Sequence, residues 1–124
     1  MTKKILIIDD NEQNLNLFSI VLKSAGYETL EANNGVEGIR LAIEEKPHLI
    51  LVDIQMPVMD GFEAIQVLKS ELSTKDIPSI ALTAYSLKEG RDGFFKHGFI
   101  DYIEKPTKLQ KFIRTIEGHL NNKA

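Results

Sequence analysis

Leu49-Ile50-Leu51-Val52-Asp53 is the stretch that decides the fold: a short apolar run, half of it β-branched, ending on a carboxylate. A continuous run this short reads as a strand covered on both faces, since a half-exposed strand would alternate and a buried helix would run longer. Upstream, Ile5-Leu6-Ile7-Ile8 repeats the pattern and ends on Asp9-Asp10; downstream, Ile80-Ala81-Leu82 follows Pro78 and ends on Thr83. Tyr27 to Ala32 and Phe99 to Ile103 are weaker strands, each preceded by a glycine (Gly26, Gly98) that suits a helix C-terminus.

Between these runs the apolar spacing changes to three and four. Leu15, Phe18, Val21, Leu22 and Ala25 form one stripe, and Val36, Ile39 and Ile43 the next. Phe62, Ile65, Leu68 and Leu72 follow, and Leu109, Phe112, Ile113, Ile116 and Leu120 make the last. A further helix is expected from Ser86 to His97. It contains Gly90 and Gly93, each costing roughly 1 kcal/mol against Ala in a helix interior, so it is expected to be the softest element. Asn34 with Glu37, and Ser86 with Glu89, have the spacing of a capping side chain and its reciprocal acid, and Thr107 is placed to cap the last helix. The result is β-α five times over: an α/β fold with a doubly wound, five-stranded parallel sheet and five helices.

The chain has 124 residues, the size of one domain, and residues 1–124 are expected to form a single unit. A content of 43% hydrophobic residues is enough for one core without metal or disulfide staples. Cysteine is absent, which excludes a thiol nucleophile and a Cys-ligated zinc or iron–sulfur centre. The N-terminal apolar run is too short for a signal peptide or a membrane span, so a cytoplasmic location is expected and no membrane partner. A net charge of -3 with scattered lysines gives no nucleic-acid footprint.

The polar residues carry the functional signal. Asp9-Asp10, Asp53 and Thr83 each end an apolar run, and Lys105 follows the last. In an open parallel sheet the carboxyl ends of all strands share one edge, and ligands bind in the crevice there. Three carboxylates in one place raise each other's pKa unless a cation intervenes. Mg²⁺, held by one or two carboxylates with waters and a phosphoryl oxygen, suits such a site. With Lys105 as a second positive charge and Thr83 as a hydroxyl donor, the set describes phosphoryl transfer onto Asp53 as nucleophile.

Four segments, in order, carry a resemblance: Ile8-Asp9-Asp10; Val52-Asp53-Ile54-Gln55-Met56-Pro57 leading to Asp60-Gly61; Leu82-Thr83-Ala84; and Tyr102-Ile103-Glu104-Lys105-Pro106. Over essentially its whole length the sequence resembles the receiver domains of two-component response regulators, stand-alone chemotaxis-regulator-like ones in particular. The resemblance implies a flavodoxin-like strand order 2-1-3-4-5. It implies that Asp53 accepts a phosphoryl group from a histidine kinase or histidine phosphotransfer protein. Asp10, Asp53 and the Gln55 backbone carbonyl would ligate Mg²⁺ (or Mn²⁺ as a substitute), with Asp9 acting indirectly. Thr83 and Lys105 would contact the phosphoryl group, Thr83 and Tyr102 would form the switch, and Ala84 would leave space beside the phosphate. The Lys105–Pro106 bond would be cis. Gln55 and Tyr85 stand at the positions that tune phosphate lifetime. With a bulky ring and no carboxylate at Tyr85, slow self-dephosphorylation is expected.

Two other functions fit parts of the pattern. An aspartate-nucleophile phosphatase also gathers Asp, Thr, Lys and acids around Mg²⁺, but usually needs a general acid two residues after the nucleophile, where Gln55 stands. It also places its nucleophile on the first strand. A flavodoxin-like mononucleotide binder would need a phosphate loop after the first strand, and Asp9-Asp10-Asn11-Glu12 would repel phosphate. The residues thus favour a signalling domain over an enzyme. Its output would pass through a downstream protein target, the chain leaving no room for an effector domain, and its state would be a monomer or weak homodimer. Asp92 and Asp101 read as caps or solvated charges, and His48, His97 and His119 share no spacing that assigns them a role.

Overall fold

A computed structural model describes residues 2–84 and 90–121. Its elements alternate along the chain as β1 (Lys4–Ile8), α1 (Glu12–Ser24), β2 (Glu28–Ala32), α2 (Gly35–Glu45), β3 (Leu49–Asp53), α3 (Gly61–Ser70), β4 (Ser79–Thr83), α4 (Arg91–His97), β5 (Asp101–Glu104) and α5 (Leu109–Leu120). The five strands form one sheet in the order β2-β1-β3-β4-β5, every neighbouring pair parallel. The sheet's apolar runs are buried on both faces, as their lack of alternation implies. On one face Leu6, Ile8, Ile50, Val52 and Ala81 meet Ala42 of α2, Ala64, Ile65 and Leu68 of α3, and Phe94 of α4. On the other, Ile5, Ile7, Leu49, Leu51, Ile80 and Leu82 meet α1 and α5, whose Phe18 and Phe112 rings stack 4.5 Å apart.

Several local expectations are corrected. On α2 the buried residues are Gly35, Gly38 and Ala42, while Val36 is 62% exposed. A Cβ on Gly38 would come within 2.4 Å of Ile8 Cδ1, so α2 packs too close to β1 for a larger residue at that point. Leu72 lies beyond the end of α3 and is exposed. Thr107 does not cap α5: the cap position is Lys108, which makes no side-chain bond to the helix. Gly90 stands at the N-cap of α4 with φ 59°, outside the helix interior, and the expected capping pair Ser86 and Glu89 lies outside the described residues. Asp101 is no solvated charge. It accepts a hydrogen bond from His119 Nε2 at 2.8 Å and faces Arg91 Nε at 3.7 Å, tying α4 and α5 to β5.

Candidate functional site

Strand register assembles the site. Ile8 pairs with Val52, so Asp9, one residue on, lies level with Asp53. Asp53 pairs with Leu82, which puts Thr83 one step beyond it, and Thr83 pairs with Glu104, which puts Lys105 one step further. The Lys105 backbone N–H donates to the Thr83 carbonyl at 2.7 Å, and the Lys105–Pro106 peptide is cis. The Lys105 ammonium then reaches back over the sheet edge, 3.2 Å from Asp9 Oδ2 and 3.2 Å from Asp53 Oδ1.

Asp9, Asp10 and Asp53 each offer a carboxylate oxygen within 4.8 Å of the others. Asp9 and Asp53 are buried and Asp10 is exposed. Three carboxylates against one ammonium leave two negative charges uncompensated when all are ionised. Burial, and then the neighbouring Asp9 charge, push the Asp53 pKa up to about 7, with Lys105 pulling it the other way. The donor set is all hard oxygen and its excess charge is that of a divalent cation, so these residues fit Mg²⁺.

Around the acids the backbone provides donors. The Asn11 N–H donates to Asp9 Oδ1 at 2.9 Å, and the Gln55 N–H donates to Asp53 Oδ1 at 3.3 Å. Asn11 also caps α1, accepting the Asn14 N–H at 3.0 Å. Asn14 in turn donates through Nδ2 to Asp9 Oδ2 at 3.3 Å. Sequence reading missed Asn14. Its signal was its place in the first turn of α1, three residues after the cap and on the side facing the end of β1.

Gly61 is more than a helix start. Its N–H donates to the Ile54 carbonyl, and a Cβ there would sit 2.7 Å from the Asp53 carbonyl oxygen and the Ile54 Cα. Beside it Asp60 and Glu63 form a complete capping box on α3. Thr83 is fully buried at the end of β4. Tyr102 lies lower on the sheet, opposite Ala81, with its ring stacked on Phe94 at 4.9 Å. Ala84, with Asn14, Leu17, Phe18, Lys105, Pro106 and Thr107, lines a hollow next to the acids. Tyr85 falls outside the described residues.

Comparison with known proteins gives the site its context. Residues 5–117 match the family described as the response regulator receiver domain. The polar-differentiation response regulator DivK of Brucella anthropi is 39% identical over 122 residues, an overlap of 98% of this chain and 99% of that one. The chemotaxis response regulator CheY4 of Vibrio cholerae superposes with a TM-score of 0.90 at 28% identity, over 97% of this chain and 100% of that one. A receiver domain of a Pseudomonas aeruginosa sensor histidine kinase, with a magnesium ion coordinated in its active-site cleft, gives 0.88 at 29% identity over 98% and 100%.

Proposed function

Because the chain belongs to the response regulator receiver domain family, signalling domains of two-component systems, we propose that Asp53 is its phosphoryl-accepting carboxylate. The observation that carries this reading is the placement of Asp53: buried, at the end of β3, with the Lys105 ammonium 3.2 Å away and Asp9 and Asp10 within metal-sharing distance. The donor is a phosphohistidine on a histidine kinase or histidine phosphotransfer protein. Its P–N bond breaks as a P–O bond forms to an Asp53 oxygen, and the imidazole leaves neutral, taking a proton from solvent. Lys105 follows the charge onto the phosphoryl oxygens, leaving Asp9 or Asp53 Oδ1 as it does so. Thr83 supplies a hydroxyl to the same oxygens. Asp10, Asp53 and the Gln55 carbonyl would hold Mg²⁺, or Mn²⁺ as a substitute, with Asp9 acting indirectly beside them. When bound, the ion would neutralise charge on the transferring phosphoryl.

The site's own residues thus assist both gain and loss of the phosphate, but Gln55 offers no general acid, so the group is stored rather than turned over. Loss is slow, with Gln55 and Tyr85 at the positions that would guide water. Thr83 and Tyr102 carry the change of state outward, and a downstream protein target reads it. The whole chain, 1–124, acts as one receiver unit in the cytoplasm, as a monomer or weak homodimer. Among the described residues no helix is long and apolar enough to cross a membrane.

Incubation with Mg²⁺ and acetyl phosphate, followed by intact mass, tests the reading. Wild type gains one phosphoryl mass and Asp53→Ala gains none. An unmodified wild type, or a labelled Asp53→Ala, overturns it.

A further inference from the structure

Asp9 is the member of the acid cluster with no exposure at all, 0% against 3% for Asp53 and an exposed Asp10. A carboxylate cut off from water needs protein donors on both oxygens, because a buried charge left short of partners carries the cost of its desolvation. Its Oδ1 accepts the Asn11 N–H at 2.9 Å. Its Oδ2 accepts two donors of different character, the Lys105 ammonium at 3.2 Å and Asn14 Nδ2 at 3.3 Å.

The two donors differ in what else holds them. Lys105 is shared, since it also stands 3.2 Å from Asp53 Oδ1, and its flexible stem lets the ammonium move with the charge. Asn14 belongs to the first turn of α1, where its backbone N–H is fixed by the Asn11 side chain at 3.0 Å. Its amide presents nitrogen to Asp9 because an ionised carboxylate has no proton to give. When a phosphoryl group arrives, Lys105 turns to the new oxygens and Asp9 Oδ2 loses its ammonium. Asn14 stays on that oxygen without moving. Being neutral, it also leaves the charge of the acids available to a cation.

We propose that Asn14 is a positioning residue for phosphoryl transfer: by holding Asp9 Oδ2, it lowers the cost of releasing Lys105 from Asp9 to the phosphoryl group. This rests on Asp53 being the acceptor. Asn14 acts through Asp9. An apolar side chain of similar size in its place leaves Oδ2 dependent on Lys105, and the ammonium is held back. The effect falls on the transfer step rather than on capture of the donor, because Lys105 is paired with Asp9 before transfer and free of it after.

The test follows labelling by acetyl phosphate with Mg²⁺ by intact mass, over a range of acetyl phosphate concentrations. It compares wild type, Asn14→Leu and Asn14→Gln, and repeats the Asn14→Leu change in Lys105→Met. Leu and Gln both favour a helix interior, so α1 is retained, and thermal unfolding without metal checks that each variant is folded. Asn14→Leu is expected to lower the limiting rate about 10-fold and to leave the half-saturating concentration within about twofold. Asn14→Gln keeps the donor, with room for its longer stem in the hollow beside Ala84 and Pro106, and is expected to label within about threefold of wild type. In Lys105→Met no ammonium remains to be released, so adding Asn14→Leu is expected to slow labelling by less than about twofold. An unchanged limiting rate in Asn14→Leu overturns the proposal. Equal slowing in the Leu and Gln variants also overturns it, since side-chain shape would then be the cause. So does a loss confined to the half-saturating concentration, which would put Asn14 against the donor itself. A loss as large in Lys105→Met as in wild type overturns the coupling through Lys105; if Lys105→Met takes no label, the contrast between Leu and Gln decides. An unlabelled wild type strikes the Asp53 reading instead.

Discussion

Asp53 is the residue whose ionisation the fold opposes. Its carboxyl pKa is raised from 3.8 to about 7, chiefly by burial and then by Asp9. The native state therefore holds a proton more tightly than the unfolded chain does. The stability this group contributes is complete below about pH 4 and is lost as pH rises through about 7. Asp53→Asn cannot ionise and escapes that loss. In EDTA its thermal midpoint is expected to exceed that of wild type at pH 8, with the gap narrowing steadily toward pH 4. A gap that opens on the acid side instead would contradict the assignment of burial as the cause. Gly61 answers to a different constraint at the same scale. Ala there would press its Cβ against the Asp53 carbonyl and Ile54 Cα, both backbone atoms that cannot rotate away. Gly61→Ala is expected to cost about 1–3 kcal/mol in urea unfolding and to slow acetyl phosphate labelling, because the displaced atoms carry the acceptor.

Helix ends show which local signals the sequence carries unambiguously and which it does not. Asn34-x-x-Glu37 and Asp60-x-x-Glu63 have the same spacing, yet only the second closes a capping box. Asn34 does cap α2, but Arg40, three residues after Glu37, takes its carboxylate into an ion pair. A motif read alone does not weigh such a competitor. Likewise the stripe Val36, Ile39, Ile43 was a fair helix signal and a poor guide to burial. The distance between α2 and β1 is a tertiary quantity, and it favours Gly38 and Ala42 at the contact. The caps also set measurable energies. Asp60→Ala removes an acceptor for the Glu63 N–H and is expected to destabilise by about 1 kcal/mol. Lys108 leaves the N-terminus of α5 without a side-chain cap, so Lys108→Ser is expected to stabilise by a similar amount, about 0.5–1 kcal/mol. Both are read from the urea midpoint at constant slope.

At the scale of the whole molecule, the acids, hydroxyl and lysine were legible as a site because parallel topology sends every strand's carboxyl end to one edge. Five apolar runs and their terminal residues sufficed for that, and the register then brought Asp9, Asp53 and Lys105 into contact. Asn14 was not legible in the same way, because its place at Asp9 depends on where a helix turn points. The gathering of charge also couples the site to global stability. Asp9 and Asp10 follow β1 and Asp53 ends β3, so unfolding disperses the carboxylates and a cation held by them binds the native state alone. At a Mg²⁺ concentration about 100 times its dissociation constant, such binding stabilises by roughly 2.7 kcal/mol, on the order of a 10 °C rise in midpoint for a domain of this size. The gain is expected to be larger at pH 8 than at pH 6, because below about pH 7 a proton on Asp53 competes with the ion. Asp10→Ala removes an exposed carboxylate with little role in packing. It should leave the metal-free midpoint near that of wild type and abolish most of the Mg²⁺-dependent rise, measured by calorimetry with and without the ion. A full rise in Asp10→Ala would place the cation elsewhere and detach the acid cluster from the chemistry argued for it.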